Sequence, residues 1–133
     1  MIDLVSLLRS IAKRPGLYVG TCSIELVGHY LDGYIHALRD TGHSDLLFDG
    51  AWIRWVESRF LVASPAWGWP RILLHGYGSH QAAIEALPHL YEEYLDQRSR
   101  IGIEGIEAER KRRLIAEHGR EWYEPTADPE GDI

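Results

Sequence analysis

Four side chains that can ligate a metal ion recur at helical spacing in the first third of the chain. They are Glu25, His29, Asp32 and His36, separated by steps of four, three and four residues. Such steps return to the same side of an α-helix, so the four side chains share one face, which is called the polar stripe below. Imidazole and carboxylate groups bind Zn²⁺ and similar ions, so neighbouring members of the stripe can each supply donors to a metal.

The polar stripe supports three interpretations. It is a solvated face opposite the apolar face of its helix, a surface that contacts a partner, or one wall of a metal site. A single helix cannot close a metal site, so a small metal-dependent enzyme built on His29, Asp32 and His36 needs ligands from elsewhere. The available ligands include His75, His80 and His89. Because a solvated or partner-contacting face accounts for the spacing, no metal and no cofactor are expected.

Two tryptophans stand close together in a segment rich in turn-forming residues. The loop predicted over residues 63–70 contains Trp67 and Trp69, which alternate with Gly68 and Pro70. Two indoles are hard to bury together in a loop, and the chain has five tryptophans and seven tyrosines, which is rich for a small core. Trp and Tyr dominate the energetics of protein interfaces. Trp67, Trp69 and the polar stripe are therefore predicted to form a surface that binds a protein partner.

A nucleophile paired with a base is another common catalytic arrangement, and no sequence motif specifies one here. Cys22 is the only cysteine, and no Gly-x-Ser-x-Gly sequence is present. Nothing in the sequence pairs Cys22 with a base, so it is predicted to be a small buried residue and the chain is not expected to be an enzyme. A single cysteine also excludes an internal disulfide, which favours a reducing cytoplasm.

Hydrophobic periodicity predicts a mainly α fold, with a single compact helical domain over residues 1–118. Apolar residues recur at helical spacing in five stretches, at about residues 4–11, 24–38, 50–60, 80–98 and 104–118. The pattern therefore predicts about five helices. Residues 119–133 are acidic and contain two prolines, so they are predicted to be a mobile C-terminal tail.

Three local features of the predicted helices concern residues 72–74, Pro88 and the orientation of the helix near residues 50–60. The run Ile72-Leu73-Leu74 is compatible with a strand and with a buried helix, so at most one or two short extended segments are expected. Pro88 is expected to kink or restart the helix that contains it. In the helix near residues 50–60, Ile53 is placed on the buried apolar face and Trp55 on its flank.

The corner between the first two helices is the most distinctive local sequence. It comprises Arg14, Pro15, Gly16, Tyr18 and Gly20, with Leu17 and Val19 between them. Pro15 fixes φ near −65° and Gly16 can adopt a positive φ, so a sharp structural turn with Tyr18 packed inward is predicted.

The run from Arg14 to Gly20 resembles the loop that opens the ATPase domain of the DNA gyrase B subunit and its relatives. That family adds a Glu and, four residues later, an Asn in the next helix, followed by an Asp-x-Gly-x-Gly loop. This chain contains no asparagine and no Asp-x-Gly-x-Gly sequence. The likeness is therefore local, and ATP binding is not expected.

Charge and composition exclude several function classes. The chain has 133 residues and a net charge of −6. Residues 117–133 carry −5 of this charge, because they contain six acidic residues and one arginine. The body is nearly neutral, which disfavours a nucleic-acid partner. No apolar run reaches the length of a membrane span, and no secretory signal precedes the first helix. A cytoplasmic protein with no membrane contact is expected.

The order of features over residues 3–97 resembles a group of small bacterial cytoplasmic proteins of immunity type, found near polymorphic toxin systems. The shared pattern begins with a helix and the corner sequence Arg-Pro-x-Leu/Met-Tyr-hydrophobic-Gly. It continues with a helix starting near Ser23, a Trp-containing helix at 52–59, the step Gly68-Trp69 and a helix at 85–95. The resemblance implies a non-enzymatic protein-binding domain whose partner is a cognate toxin.

Overall fold

The computed structural model describes residues 3–43, 48–62 and 67–120, and within these segments the chain forms six helices and no strand. The helices are α1 (Leu4–Lys13), α2 (Pro15–Val19), α3 (Ile24–Asp40), α4 (Gly50–Phe60), α5 (Trp69–Tyr77) and α6 (His80–His118). The mainly α prediction is confirmed, and Ile72-Leu73-Leu74 is helical because it lies inside α5. Residues 121–133 of the predicted tail lie outside the described residues.

Side chains that cap backbone N–H groups mark the starts of the main helices. Asp3, Ser23, Asp49 and Ser79 each accept a hydrogen bond from the first turn of α1, α3, α4 and α6 respectively. These residue types are favoured at this position because the first N–H groups of a helix have no partner within the helix. The Ile24 N–H also donates to His80 Nδ1 at 3.1 Å, so the start of α6 holds the start of α3.

An aromatic cluster centred on α4 forms the middle of the core. Trp52 is fully buried, and its ring centre lies 5.2–5.8 Å from those of five neighbours. These neighbours are Phe48, Trp55, Trp69, Tyr91 and Tyr94. They come from α4, α5 and α6 and from the residue before the α4 cap, so the cluster joins these elements. Much of the aromatic surplus in the sequence is therefore buried.

Gly102 reverses the direction of α6. Its φ of 71° and ψ of 177° form a combination that residues with a Cβ avoid. From residue 93 to residue 98 of α6, the contacted residues run backward along α4, from Arg59 to its cap Asp49. From residue 107 to residue 118, they run forward, from Arg54 to Leu61. The 80–101 half of α6 therefore runs antiparallel to α4, and the 103–118 half runs parallel to it.

The 103–118 half of α6 is fastened to α4 by ion pairs and a few apolar side chains. Glu57 Oε1 accepts a hydrogen bond from Arg110 Nε at 3.2 Å, and both side chains are largely buried. Arg54 forms a second ion pair, at 2.8 Å, with Glu107. Ile106 and Leu114 are the buried apolar anchors. The predicted helix at about 104–118 is thus confirmed, and its position is set by α4.

Pro88 does not restart α6 as the sequence predicts. Within this helix only Gly102 departs from helical backbone angles. Pro88 is buried in the helix, and the change of direction occurs 14 residues later, where a positive φ requires glycine. Although α6 has 39 residues, neither it nor any other helix in the described segments combines the length and hydrophobicity needed to cross a bilayer.

The corner at residues 14–20 is a short helix. Pro15 occupies the first turn of α2, where its missing N–H has no helical partner to lose. Gly16 is helical, and the positive φ, 82°, occurs at Gly20. The prediction that the chain turns at Gly16 is therefore wrong by one helical turn. Tyr18 packs as predicted, half-buried and edge-on against Tyr30 at 5.8 Å, whereas Arg14 is exposed. Cys22, two residues after the corner, is exposed, so the prediction that it is buried is wrong.

Candidate functional site

A cleft of about 430 Å³ opens between α3 and the start of α5, with α4 at its side. Ligand pockets of proteins commonly span roughly 300–1,000 Å³, so the cleft is large enough to receive side chains of a partner. It is lined by Glu25, Gly28, His29, Asp32, Ile53, Gly68, Trp69, Pro70 and Arg71. Three of the four residues of the polar stripe therefore lie in one concave surface.

The buried face of α3 directs the polar stripe toward the cleft. Ile24, Val27, Leu31 and Ile35 hold α3 against the core. Glu25, His29 and Asp32 are exposed, and no hydrogen bond or ion pair occupies them within the described part of the chain. His36 is placed differently, because its Nε2 lies 3.4 Å from Asp40 Oδ2 and it does not line the cleft.

Gly28 and Pro70 set the depth of the cleft. A Cβ atom at residue 28 would lie 2.5 Å from Pro70 Cγ and 3.6 Å from Trp69 Cζ2. The first distance is far inside van der Waals contact, so any larger side chain at residue 28 would push α3 and α5 apart. Glycine is therefore required here by close packing between two helices. The sequence alone indicates only a glycine of low helix propensity.

Trp67 and Trp69 have different environments. Trp69 is the first residue of α5, is only 5% exposed and packs edge-on against Phe48 and Trp52. It belongs to the core, against the prediction that both indoles lie in a surface loop. Trp67 is half-buried, and the guanidinium of Arg71 lies 5.1 Å from its ring centre, a cation–π contact. Trp67 thus positions Arg71, which lines the cleft.

Ile53 supplies an apolar surface to the cleft. It is 41% exposed and lines the cleft, although the prediction puts it on the buried face of its helix. The buried residues of α4 include Trp52, Trp55 and Val56, which follow i, i+3, i+4 spacing, together with Ala51, Glu57 and Ser58. Ile53 follows Trp52 by one residue, about 100° around the helix, and so lies at the edge of this face.

A second polar cluster, centred on Asp49, serves the fold. Asp49 caps α4 and accepts hydrogen bonds from Arg98 Nη1 and from the Tyr94 hydroxyl. Burial acts to raise the pKa of Asp49, but the bonds from Arg98, Tyr94 and the Ala51 N–H outweigh it and hold that pKa below its ordinary value. Burial also raises the pKa of Tyr94 to about 12, so its hydroxyl keeps its proton at neutral pH.

The lining of the cleft is chemically mixed. It combines carboxylates on the α3 side, a guanidinium on the α5 side and the apolar surfaces of Ile53 and Pro70, a mixture common in protein interfaces. Within the described residues, no three His, Cys, Asp or Glu side chains are grouped so that they could hold a metal ion. No protein-family model, curated protein or solved structure significantly matches the chain.

Proposed function

We propose that this chain is a non-enzymatic protein-binding domain of immunity type, which binds and neutralises a cognate bacterial toxin in the cytoplasm. The cleft carries the proposal, because the exposed Ile53 lines it together with the acidic side chains of Glu25 and Asp32. A protein partner that covers this surface removes an apolar side chain from water and presents charges to the two acids. The resemblance over residues 3–97 supports a toxin as that partner.

Neutralisation by this route requires no chemical step from the chain. A toxin segment held in the cleft is withheld from its own target, so binding and inhibition are the same event. The walls of the cleft are supported by the core, since Trp69 is buried in the aromatic cluster and Gly28 contacts Pro70 closely. A surface held in place before binding loses little conformational freedom when the partner arrives, which favours high affinity.

The test is binding and growth rescue with a toxin encoded beside this chain, using a matched pair of variants. Ile53→Asp introduces a charge into the cleft, and Leu17→Asp introduces the same charge at an exposed site on α2. Both positions are exposed, at 41% and 74%, so neither change should unfold the protein. If Ile53 is an interface anchor, Ile53→Asp should weaken binding at least about 30-fold, the factor that corresponds to a hot-spot residue.

Leu17→Asp should bind and protect cells like the wild type. Thermal melts of both variants verify that they are folded. If both bind the toxin with unchanged affinity, the interface lies elsewhere on the protein. If no toxin encoded beside this chain forms a complex with it, the immunity proposal is wrong.

A further inference from the structure

We infer that the partner presents a helix to the cleft, with two basic side chains at positions i and i+7 that pair with Glu25 and Asp32. This inference rests on the proposed function, because it describes the chemistry of a partner bound at the same surface. Glu25 and Asp32 are seven residues apart on α3, which corresponds to two turns and about 10.5 Å along the helix axis. One cation cannot contact both carboxylates, so two are needed.

The charge of the cleft favours a basic partner. Its lining contains two carboxylates and one guanidinium, and that guanidinium, on Arg71, is held over the Trp67 ring. Several carboxylates elsewhere in the described segments have arginine partners within the chain, as Glu57, Glu93 and Glu107 do. Glu25 and Asp32 have no such partner in that part of the protein. A basic partner would supply to Glu25 and Asp32 the positive charges that arginines of the chain supply to those carboxylates.

The apolar part of the cleft suits lysine and arginine side chains in particular. Ile53 and Pro70 line the cleft together with the two acids. Lysine and arginine have aliphatic stems that pack on apolar surfaces while their charged ends reach polar groups. A partner side chain can therefore contact Ile53 or Pro70 with its stem and a carboxylate with its end. An acidic side chain has a shorter stem and the wrong charge for this surface.

The spacing of the two acids favours a helix over a strand as the bound element. Residues i and i+7 of a helix are separated by about 10.5 Å and lie near one face. In a strand, three residues cover about 10 Å, but residues i and i+3 point to opposite faces. Strand residues that share a face lie about 7 Å or about 13 Å apart, so a strand matches this separation less closely than a helix does. A helix lying along α3 can present both.

The experiment titrates the full-length, isotope-labelled protein with three helical peptides at low salt and follows backbone and indole NMR signals. The first peptide carries lysines at i and i+7 on an alanine-rich background, the second has lysines at i and i+4, and the third has glutamates at i and i+7. The first should bind most tightly and shift signals of residues 25–32 and of Trp69. The double variant Glu25→Gln/Asp32→Asn should reduce its affinity about threefold to tenfold, as expected for two exposed ion pairs.

A matched control removes the same two charges elsewhere. Glu104→Gln/Glu117→Gln alters two exposed carboxylates outside the cleft and should leave the affinity almost unchanged. The inference is overturned if the glutamate peptide binds as tightly as the first, if i+4 spacing serves equally well, or if both double variants lose affinity to the same extent. Binding of the lysine peptide without any toxin complex would refute the proposed function alone. A toxin complex insensitive to Glu25→Gln/Asp32→Asn would refute this inference alone.

Discussion

Replacing Gly102 with alanine should destabilise the protein although the added methyl group has room. A Cβ atom at this position meets nothing within 4 Å, so no steric clash with other elements is expected. The backbone there has φ 71° and ψ 177°, a region that is essentially restricted to glycine and that costs other residues about 1–3 kcal/mol. The expected loss of stability therefore comes entirely from the backbone conformation of residue 102, where α6 reverses direction.

This loss is large enough to be measured as a change in melting temperature. With roughly 2.1 cal/mol/K per residue, the unfolding entropy of a chain of 133 residues is about 0.28 kcal/mol/K. A loss of about 1–3 kcal/mol then lowers Tm by about 4–11 °C. Calorimetry or circular dichroism melts resolve a shift of this size.

Gly33 offers a matched control for the same chemical change. It lies inside α3 with helical backbone angles, and a Cβ atom there also meets nothing within 4 Å. Gly33→Ala should therefore stabilise the protein by about 0.5–1 kcal/mol, because alanine loses less backbone freedom than glycine on entering a helix. The two substitutions add the same methyl group and should have effects of opposite sign.

The reasoning is refuted if Gly102→Ala melts at or above the temperature of the wild type. Residue 102 would then have no need of a positive φ, and the reversal of α6 would lie elsewhere. Sedimentation of the variant adds a second readout. If alanine lets α6 continue as one straight helix, the 103–118 half leaves α4 and can pack on a second copy, which would appear as a dimer.

Three further predictions, which use five substitutions, concern packing and charge. Tyr18→Ala should lower the unfolding free energy by about 1–3 kcal/mol, and Arg14→Ala by at most about 1 kcal/mol, as measured by urea denaturation. The reverse order would reveal a buried contact of Arg14. Trp69→Ala should cost about 3–5 kcal/mol whereas Trp67→Ala should leave a cooperatively folded protein, so equal losses would place both indoles in the core. The folded pKa of Asp49 lies below its unfolded value of about 3.9, so its stabilisation is present above about pH 4 and is lost as the pH falls through the folded pKa. Asp49→Asn should therefore flatten the acid limb of stability against pH, and parallel curves for variant and wild type would contradict this.

The helices are largely predictable because their signals are local. Ser23 precedes the periodic apolar residues of α3, and a capping residue followed by such a pattern is sufficient to predict the helix start. α2 is not predictable in the same way, since five residues are too few to show a period. Either Gly16 or Gly20 could adopt a positive φ as far as the sequence shows. The structure shows that Gly20 does so, at the end of α2.

The cleft depends on contacts that no local pattern contains. The sequence shows that the polar stripe lies on one face of α3. The cleft that it lines also depends on close packing of Gly28 against Pro70, which lies 42 residues further along the chain. Trp69 is misplaced for the same kind of reason, because its partners Phe48 and Trp52 are distant in sequence. Ile53 lies at the edge of the buried face of α4, and its exposure depends on how the neighbouring helices pack, which the α4 sequence does not contain.

The way the 103–118 half of α6 is fastened to α4 has a consequence for how long the protein survives in a cell. A segment held by two ion pairs and few buried side chains opens at a lower free energy than the aromatic core. Its amide protons should exchange with solvent before those of residues 80–98, and faster as added salt screens the exposed pair. A protease acts on such open forms in proportion to their population. Turnover of the protein would then be governed by the release of this arm, while the core remains folded.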